Sequence, residues 1–319
     1  MSRILVTGAN GQVGRELLQA LAPLGEVIAG DRTLLDLTCP AHIRQTIGEM
    51  QPDVIVNAAA YTAVDQAESH IELANAINGT APRILAELAK ASQATLIHLS
   101  TDYVFDGTKQ TPYLENDLPH PIGAYAQSKR LGEVGIQGVF GIAPGYIILR
   151  TAWIYGVYGQ TNFVKTMLRL GAERQEIKVV ADQIGSPTWA RDLATAIAGF
   201  TEQSLSTTTQ PASSLDTFLM PPTGIYHFTN AGVASWYDFA VAIFAQARSL
   251  GFPLTVQRVI PISTAEYPTL AKRPAYSVLS GHKTAALIGS DPPPWQQGLQ
   301  QMLTDLYSNT YESHCSVGR

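Results

Sequence analysis

The feature that most constrains the fold is the regular alternation of short apolar runs with helix-like segments over the first half of the chain. The runs are rich in Val, Ile and Leu, and they read RILVTG, EVIAGD, DVIVNAAA, TLIHLS and GYIILRT. Such runs indicate strands buried on both faces, and their alternation with helices is typical of parallel βαβ units. We therefore predict an α/β fold with a Rossmann-type doubly wound parallel sheet, which binds ligands at the C-terminal ends of its strands.

This alternation loosens beyond residue 150, which sets the predicted domain boundary. NFVKTMLRLGAER and SWYDFAVAIFAQARSLG have the periodicity of amphipathic helices, and IKVVADQIGSPTWARDLATAIAGF predicts a strand, a turn and a helix. We predict an NAD(P)-binding Rossmann domain over residues 1–150 and a smaller C-terminal α/β substrate lobe over 151–308, with the reservation that some lobe segments return to the Rossmann domain. The Ser- and Thr-rich stretch 201–223 is expected to be a surface loop, and 309–319 a frayed tail.

Composition and charge narrow the range of partners. The net charge is −5 and no block of Lys and Arg is present, so a polymeric nucleic acid is not an expected partner. The only cysteines, Cys39 and Cys315, give neither a disulfide framework nor a zinc cluster, which fits a reducing compartment. Glycines interrupt the N-terminus where a signal peptide needs an apolar core, and no later run could span a bilayer. We expect a soluble cytoplasmic protein without a membrane partner.

Three glycines between the first predicted strand and the first predicted helix indicate a dinucleotide site. Gly8, Gly11 and Gly14 allow close backbone approach to a diphosphate, to which the helix N-terminus offers N–H groups. A glycine triplet alone is weak evidence, but Asp31 ends the second strand at the distance expected of a ligand for the adenosine ribose. Asp31 favours NADH, whereas the adjacent Arg32 could accept the 2′-phosphate of NADPH, so both cofactors stay open.

Two further segments place acid–base chemistry behind this loop. LSTDYVFDG follows the fourth strand and carries Thr101 and Asp102, and AYAQSK places Tyr125 and Lys129 four residues apart on one helix face. An isolated tyrosine has a pKa of about 10, and a neighbouring ammonium favours the phenolate. We expect Tyr125 to be a proton donor whose pKa Lys129 lowers, with Thr101 hydrogen-bonded to the same substrate oxygen. This chemistry requires no metal.

Taken together, these segments resemble the dTDP-4-dehydrorhamnose reductase family within the extended short-chain dehydrogenase/reductases. The resemblance covers nearly the whole chain, and AAAYTAVDQAES with STDYVFDG is its most specific part. It implies NAD(P)H-dependent reduction of the 4-keto group of a nucleotide sugar, dTDP-4-dehydro-L-rhamnose. Members of the family can form dimers with Mg²⁺ at the interface, so a homodimer and Mg²⁺ are expectations without assigned ligands.

The resemblance also implies roles for individual residues. Tyr125, Lys129 and Thr101 would be catalytic, and Lys129 would also hold the nicotinamide ribose. Thr101, Asp102 and Trp153 would bind the sugar. The residues implied at the cofactor are Gly8, Gly11, Gln12, Val13, Gly14, Asp31, Asp36, Leu37, Ala60, Tyr61, Thr62, Tyr125 and Lys129.

The sequence leaves two alternatives open, another nucleotide-sugar reductase or epimerase and a non-catalytic regulatory module, and it disfavours a third. Related sugar dehydratases follow Thr and Asp with Glu, and Tyr103 at that position disfavours elimination of water. The non-catalytic subunit of methionine adenosyltransferase resembles the same family, so a regulatory module is the other alternative. Two features are expected to be structural: Asp65 and Glu68 as capping or solvated carboxylates, and His98 as a core histidine.

Overall fold

The computed structural model describes residues 1–208 and 221–312. The first half of the chain alternates strands and helices as the sequence predicts. In chain order its elements are β1 (Arg3–Thr7), α1 (Gln12–Leu21), β2 (Glu26–Gly30), α2 (Pro40–Met50), β3 (Val54–Asn57), α3 (Val64–Ala67), α4 (Ile71–Asn75), α5 (Ala81–Ser92), β4 (Thr95–Thr101), α6 (Ala124–Phe140) and β5 (Tyr146–Thr151).

The second half adds short strands and five helices within the described residues. Its elements are β6 (Ile154–Tyr155), α7 (Phe163–Glu173), β7 (Glu176–Val180), β8 (Ile184–Gly185), β9 (Thr188–Trp189), α8 (Ala190–Thr208), β10 (Gly224–His227), β11 (Ala234–Ser235), α9 (Trp236–Leu250), β12 (Arg258–Ile262), α10 (His282–Ile288) and α11 (Trp295–Tyr307).

Six of these strands form one parallel sheet in the order β10-β5-β4-β3-β1-β2. The strand order reverses beside β1, so the crevice between the C-terminal ends of β1 and β3 is the switch point at which open α/β sheets bind ligands. Helices cover both faces of this sheet, as expected of a doubly wound fold. The predicted fold class is thereby confirmed.

Side chains alternate along each strand between two apolar layers. Ile4 and Val6 of β1 pack with α1 and α8, whereas Leu5 packs on the other face with α2, α5 and α6. Each fully buried aliphatic side chain contributes about 1.5–3 kcal/mol. A third apolar cluster lies in the C-terminal half between α7, α9, α11 and β7.

Two elements beyond residue 150 return to the parallel sheet, one as a strand of it and one as a helix that packs on it. The chain returns through β10, which pairs with β5, and α8 packs across the face that α1 covers. These returns correspond to the reservation made for the predicted lobe. The division at residue 150 stays a prediction.

The prediction of a surface loop over 201–223 is wrong for its first residues, because α8 continues to Thr208. Its hydroxyls hydrogen-bond within the helix instead of breaking it: Thr201 Oγ1 donates to the Ile197 carbonyl and Ser204 Oγ donates to the Phe200 carbonyl. Residues 209–220 of that stretch, and 313–319 of the predicted tail, lie outside the described residues, while Ser308–Glu312 form a π-helical turn after α11.

Candidate active site

The glycine loop lies at the switch point of the sheet, between β1 and α1. Gly8 has a φ of +69°, and a Cβ there would lie 2.9 Å from the Ala59 backbone. A Cβ on Gly14 would lie 2.2 Å from the Gly8 carbonyl oxygen. Only glycine fits both positions, so the loop brings bare backbone and the N-terminus of α1 to the crevice. This cradle suits the diphosphate of a dinucleotide.

The remaining loop residues contribute backbone groups more than side chains. The side chain of Val13 is buried in the apolar layer under α1. The Gln12 side chain reaches the second half of the chain, where its Nε2 donates to the Ile154 carbonyl at 3.2 Å. Asn162 Nδ2 in turn donates to Gln12 Oε1 at 3.3 Å.

The acidic residues predicted to flank the adenosine lie just after β2. Asp31 Oδ1 accepts from the backbone N–H groups of Thr33 and Leu34 at 2.9 and 3.0 Å. Asp36 is held similarly, since hydrogen bonds from Thr38 keep its pKa below the ordinary value. Leu37 is buried in the apolar layer beneath. Both carboxylates therefore shape the backbone along this rim of the crevice.

The segment after β3 forms the facing rim and is tied to the helix that carries Tyr125. It includes Ala60, Tyr61 and Thr62. Asn78 lies in the π-helical turn Ala76–Thr80 between α4 and α5, and its amide bonds the Tyr61 backbone N–H at 2.8 Å and carbonyl at 3.0 Å. Asn78 Nδ2 also donates to Ser128 Oγ on α6 at 2.9 Å. The sequence patterns gave no signal for this link.

The polar residues of LSTDYVFDG end β4 and begin a 3-10 turn over Asp102–Val104. Thr101 Oγ1 accepts from the Tyr103 N–H at 3.2 Å and donates to Asp102 Oδ1 at 3.1 Å. Burial raises the pKa of Asp102 to about 7, against hydrogen bonds from Ser277 and Thr101 that lower it. Burial likewise raises the pKa of Tyr103, whose ring meets that of Tyr125 edge to face at a 6.1 Å centroid distance.

Helix α6 presents Tyr125 and Lys129 to this strand end. The first backbone N–H of α6, on Ala124, donates to Glu68 Oε1 at 2.9 Å. Glu68 is therefore a capping group, as expected, and the helix that it caps is α6. The Lys129 ammonium donates to the Leu99 carbonyl at 2.5 Å and lies 3.4 Å from His98 Nε2. Thr101, Tyr125 and Lys129 thus come together at one edge of the sheet.

The pKa of Tyr125 departs from the sequence expectation. Burial raises it to about 12, although a hydrogen bond with Thr101 acts in the opposite direction. The expected lowering by Lys129 is therefore wrong for this structure: the ammonium is directed at Leu99 and His98, and its own pKa falls to about 8 on burial. Tyr125 is consequently a neutral phenol at neutral pH, the form that a proton donor requires.

A cavity of about 700 Å³ opens in the C-terminal half, and Arg273 of its lining hydrogen-bonds Tyr103, which follows β4. Its lining is mostly apolar and includes Phe163, Trp236, Ile260 and Ile262, with Arg273 among its cationic groups. A lining that combines apolar and aromatic side chains with charged groups suits a small-molecule ligand that carries both kinds of surface.

Trp153, the predicted sugar-binding residue, lies behind Trp236. The two rings stack at a 3.5 Å centroid distance and 6° between planes. Trp153 has a φ of +46°, and a Cβ on Gly185 would lie 2.6 Å from its ring. Trp236 lines the cavity and Trp153 is not among its lining residues, so the structure adds Trp236 to the candidate site. The role of Trp153 stays a prediction.

Arg273 lines the cavity and also contacts the segments that follow β3 and β4. Its guanidinium forms a two-pronged ion pair with Asp65 at 2.7 and 3.2 Å and a hydrogen bond with Tyr103. Asp65, expected to be a capping or solvated carboxylate, is thus a partly exposed ion-pair partner of Arg273. Arg273 and Asp65 are 208 positions apart, so no local spacing could have linked them.

The described residues offer no evident place for a metal. Within 1–208 and 221–312, no three His, Cys, Asp or Glu side chains are grouped so that they could hold an ion. The Mg²⁺ expected from the resemblance therefore has no ligand set in this part of the chain. Across the same ranges, none of the helices is both long and apolar enough to span a membrane.

The chain matches one family model and is similar to curated dTDP-4-dehydrorhamnose reductases. The family model described as RmlD substrate binding domain matches residues 1–308. A dTDP-4-dehydrorhamnose reductase from Burkholderia thailandensis is 44% identical over 308 residues, covering 96% of this chain and 99% of the relative. The Escherichia coli K12 enzyme of that name is 40% identical over 311 residues, covering 96% and 99%.

Solved structures agree in fold. A crystal structure of dTDP-4-dehydrorhamnose reductase from Bacillus anthracis in complex with NADP matches with a TM-score of 0.83 and 39% identity, covering 96% of this chain and all of that one. UDP-glucose 4-epimerase from Thermus thermophilus, complexed with NAD, matches with a TM-score of 0.74 at 20% identity, covering 97% and 99%, which is likeness of fold alone.

Proposed function

Because the chain belongs to the RmlD substrate binding domain family, we propose that it reduces the 4-keto group of dTDP-4-dehydro-L-rhamnose to give dTDP-L-rhamnose, with NADPH as the reductant. One observation carries this proposal: Thr101, Tyr125 and Lys129 converge beside a glycine cradle at the switch point of the sheet. The reaction is the final step in making an activated rhamnose.

The glycine cradle would hold the cofactor diphosphate at the N-terminus of α1. When bound there, NADPH supplies a hydride to C4 of the sugar. Lys129, one helical turn after Tyr125, has its ammonium fixed at the Leu99 carbonyl. NADPH is favoured over NADH by the NADP complex of the Bacillus anthracis relative and by the exposed Arg32 after Asp31, the position that suits a 2′-phosphate.

Tyr125 acts as the general acid. Its raised pKa keeps the proton on the phenol until an alkoxide forms on the substrate, whose much higher basicity then draws the proton across. Thr101 Oγ1 reaches both Tyr125 and Asp102, and a single hydroxyl proton serves one acceptor at a time. With substrate present, Thr101 donates to the same oxygen and shares its developing charge.

The nucleotide part of the substrate would occupy the cavity in the C-terminal half. Trp236 and Phe163 offer aromatic faces for the base, and Arg273 offers a guanidinium for the phosphates. Asp102 and Trp153 are proposed to contact the sugar between the cavity and Tyr125. A homodimer and a cytoplasmic location complete the proposal.

The test is a turnover assay on the purified protein. With NADPH and dTDP-4-dehydro-L-rhamnose, absorbance at 340 nm should fall, and the product should be two mass units heavier than the keto sugar. A regulatory module would bind NADPH and leave the absorbance unchanged, and a dehydratase would release water without consuming NADPH.

A further inference from the structure

A chain of four buried polar side chains lies beneath the active site. Thr7 at the end of β1, Asn57 at the end of β3 and His98 on β4 occupy paired positions on neighbouring parallel strands, so their side chains point to the same face. The fourth member is Lys129 on α6. All four are at most 2% exposed, in a sheet otherwise filled mainly by aliphatic side chains.

Each of these four side chains is in hydrogen-bond contact with the next. Thr7 Oγ1 lies 2.6 Å from Asn57 Oδ1, and Asn57 Nδ2 lies 2.9 Å from His98 Nδ1. His98 Nε2 then lies 3.4 Å from Lys129 Nζ. The imidazole therefore has one ring nitrogen committed to Asn57 and the other to the lysine that the proposed mechanism uses.

His98 is neutral in this environment. Burial holds its pKa well below the ordinary value, and the charge on Lys129 acts in the same direction. A neutral imidazole carries one proton, so one ring nitrogen donates and the other accepts. An ammonium can only donate, so a protonated Lys129 requires His98 Nε2 to be the acceptor and the ring proton to be on Nδ1.

We propose that His98 is a positioning residue for Lys129, a neutral imidazole in the Nδ1–H tautomer that accepts from the ammonium at Nε2. With the Leu99 carbonyl it fixes two of the three ammonium N–H groups and leaves the third for a ligand in the cleft. This tautomer requires the Asn57 amide to be half a turn from the orientation given above, so that its oxygen accepts from Nδ1–H while its nitrogen donates to Thr7 Oγ1; the orientation of the amide thereby selects the tautomer.

The same four side chains also accommodate Lys129 as a neutral amine. When Lys129 loses a proton, Nζ becomes an acceptor and the stable partner is the Nε2–H tautomer, with Asn57 Nδ2 now donating to Nδ1. A half-turn of the Asn57 amide exchanges the two arrangements, and the Lys129–His98 pair then holds one proton fewer, which has passed to solvent. The tautomer of His98 therefore reports the charge of Lys129.

Two other titratable side chains, Glu133 and Tyr125, lie one turn from Lys129 on α6. Glu133, one turn further along α6, favours the ammonium, but it is itself held by a two-pronged ion pair with Arg150 on β5 and by Arg130 on α6. Tyr125 lies one turn before Lys129 on α6 and is neutral. On β4, the group that faces Lys129 is His98.

The first test uses the free protein and does not depend on its activity. In ¹⁵N-histidine NMR, with the His98 signals assigned by their loss in His98→Gln, the ring at pH 6.5 should be neutral with its proton on Nδ1. Above the pKa of Lys129 the proton should be on Nε2. An imidazolium, or an Nε2–H tautomer at pH 6.5, would overturn the proposal.

The second test is kinetic and rests on the proposed function. In His98→Leu the ammonium loses an acceptor, so the alkaline limb of the kcat profile should move down by about one pH unit, the equivalent of about 1.4 kcal/mol. His98→Gln keeps an acceptor oxygen near Nε2 and should restore most of that shift. Ile148→Val, at the paired buried position on β5, controls for lost packing and should leave the limb in place.

The two kinds of failure are distinguishable. A His98→Leu profile that superimposes on the wild type would overturn the positioning role. A wild type without turnover would overturn the proposed function, and the tautomer in the free protein would still decide whether His98 positions Lys129. Should His98→Leu fail to fold, the same tautomer measurement on the wild type decides between the two outcomes.

Discussion

Replacing Lys129 by methionine should abolish function and increase stability. The buried ammonium is disfavoured in the folded state, where its pKa falls from 10.5 to about 8. At about 1.36 kcal/mol per pKa unit, that difference amounts to a penalty of about 3 kcal/mol. Methionine has a similar length and no charge, and it forgoes the contacts with Leu99 and His98, so the net gain at pH 7 should be about 1–3 kcal/mol.

The sign of the pH dependence follows from the direction of the shift. Below pH 8 Lys129 is charged in both the folded and unfolded states, so the wild type bears the full penalty there. Between pH 8 and 10.5 the folded protein releases this proton first, and the wild type becomes more stable relative to Lys129→Met. The advantage of the variant should therefore shrink across this range.

Urea unfolding at pH 7 and pH 10 measures both effects. Lys272→Met is the matched control, because Lys272 is exposed and its replacement should change stability by no more than about 0.5 kcal/mol at either pH. Calorimetric titration should show weaker NADPH binding by Lys129→Met. A variant less stable than the wild type at pH 7, or an advantage that persists unchanged at pH 10, would refute the reasoning from burial.

Three further predictions address the cradle, the sugar site and Asp102. Gly14→Ala should lose NADPH affinity in calorimetry and about 1–3 kcal/mol of stability, because the new Cβ meets backbone at 2.2 Å; Gly138→Ala, in open space on α6, should be neutral or stabilising. Trp153→Ala should raise the sugar KM about tenfold, some 1.4 kcal/mol, and leave NADPH affinity unchanged; a weaker NADPH affinity with an unmoved KM would assign Trp153 to the cofactor pocket or the core. Asp102→Asn should stabilise the protein against urea by up to about 4 kcal/mol at pH 8 and hardly at pH 4, because burial disfavours the carboxylate, whose pKa rises to about 7; an equal effect at both pH values would contradict that cause.

The sheet and its glycine loop could be predicted because their signals are local. A run such as TLIHLS indicates a buried strand by itself, and Gly8 to Gly14 lie within one strand-to-helix turn. The link of Asn78 to α6 had no such signal, since it depends on the packing of two helices. The stretch after Phe200 was misjudged because Ser and Thr suggest loops, while their hydroxyls can also bond to the preceding helical turn.

Sequence spacing could predict which side chains meet at the sheet edge, but it could not predict their electrostatics. Spacing placed Tyr125 and Lys129 on one helix face, and it could not reveal that the ammonium contacts Leu99 and His98 on β4. The size of a desolvation effect depends on what surrounds a group in three dimensions, so the pKa of Tyr125 moved opposite to the expectation. Trp236 and Arg273 were missed because their partners are distant in sequence.

The most direct measurement of the central claim compares Tyr125→Phe with the wild type in NADPH oxidation by dTDP-4-dehydro-L-rhamnose. Phenylalanine keeps the ring and its edge-to-face contact with Tyr103, so the fold and NADPH affinity should survive. A positioned general acid contributes about 10² to 10⁴ in rate, and kcat should fall by that factor. A folded Tyr125→Phe protein that turns over at the wild-type rate would contradict the account.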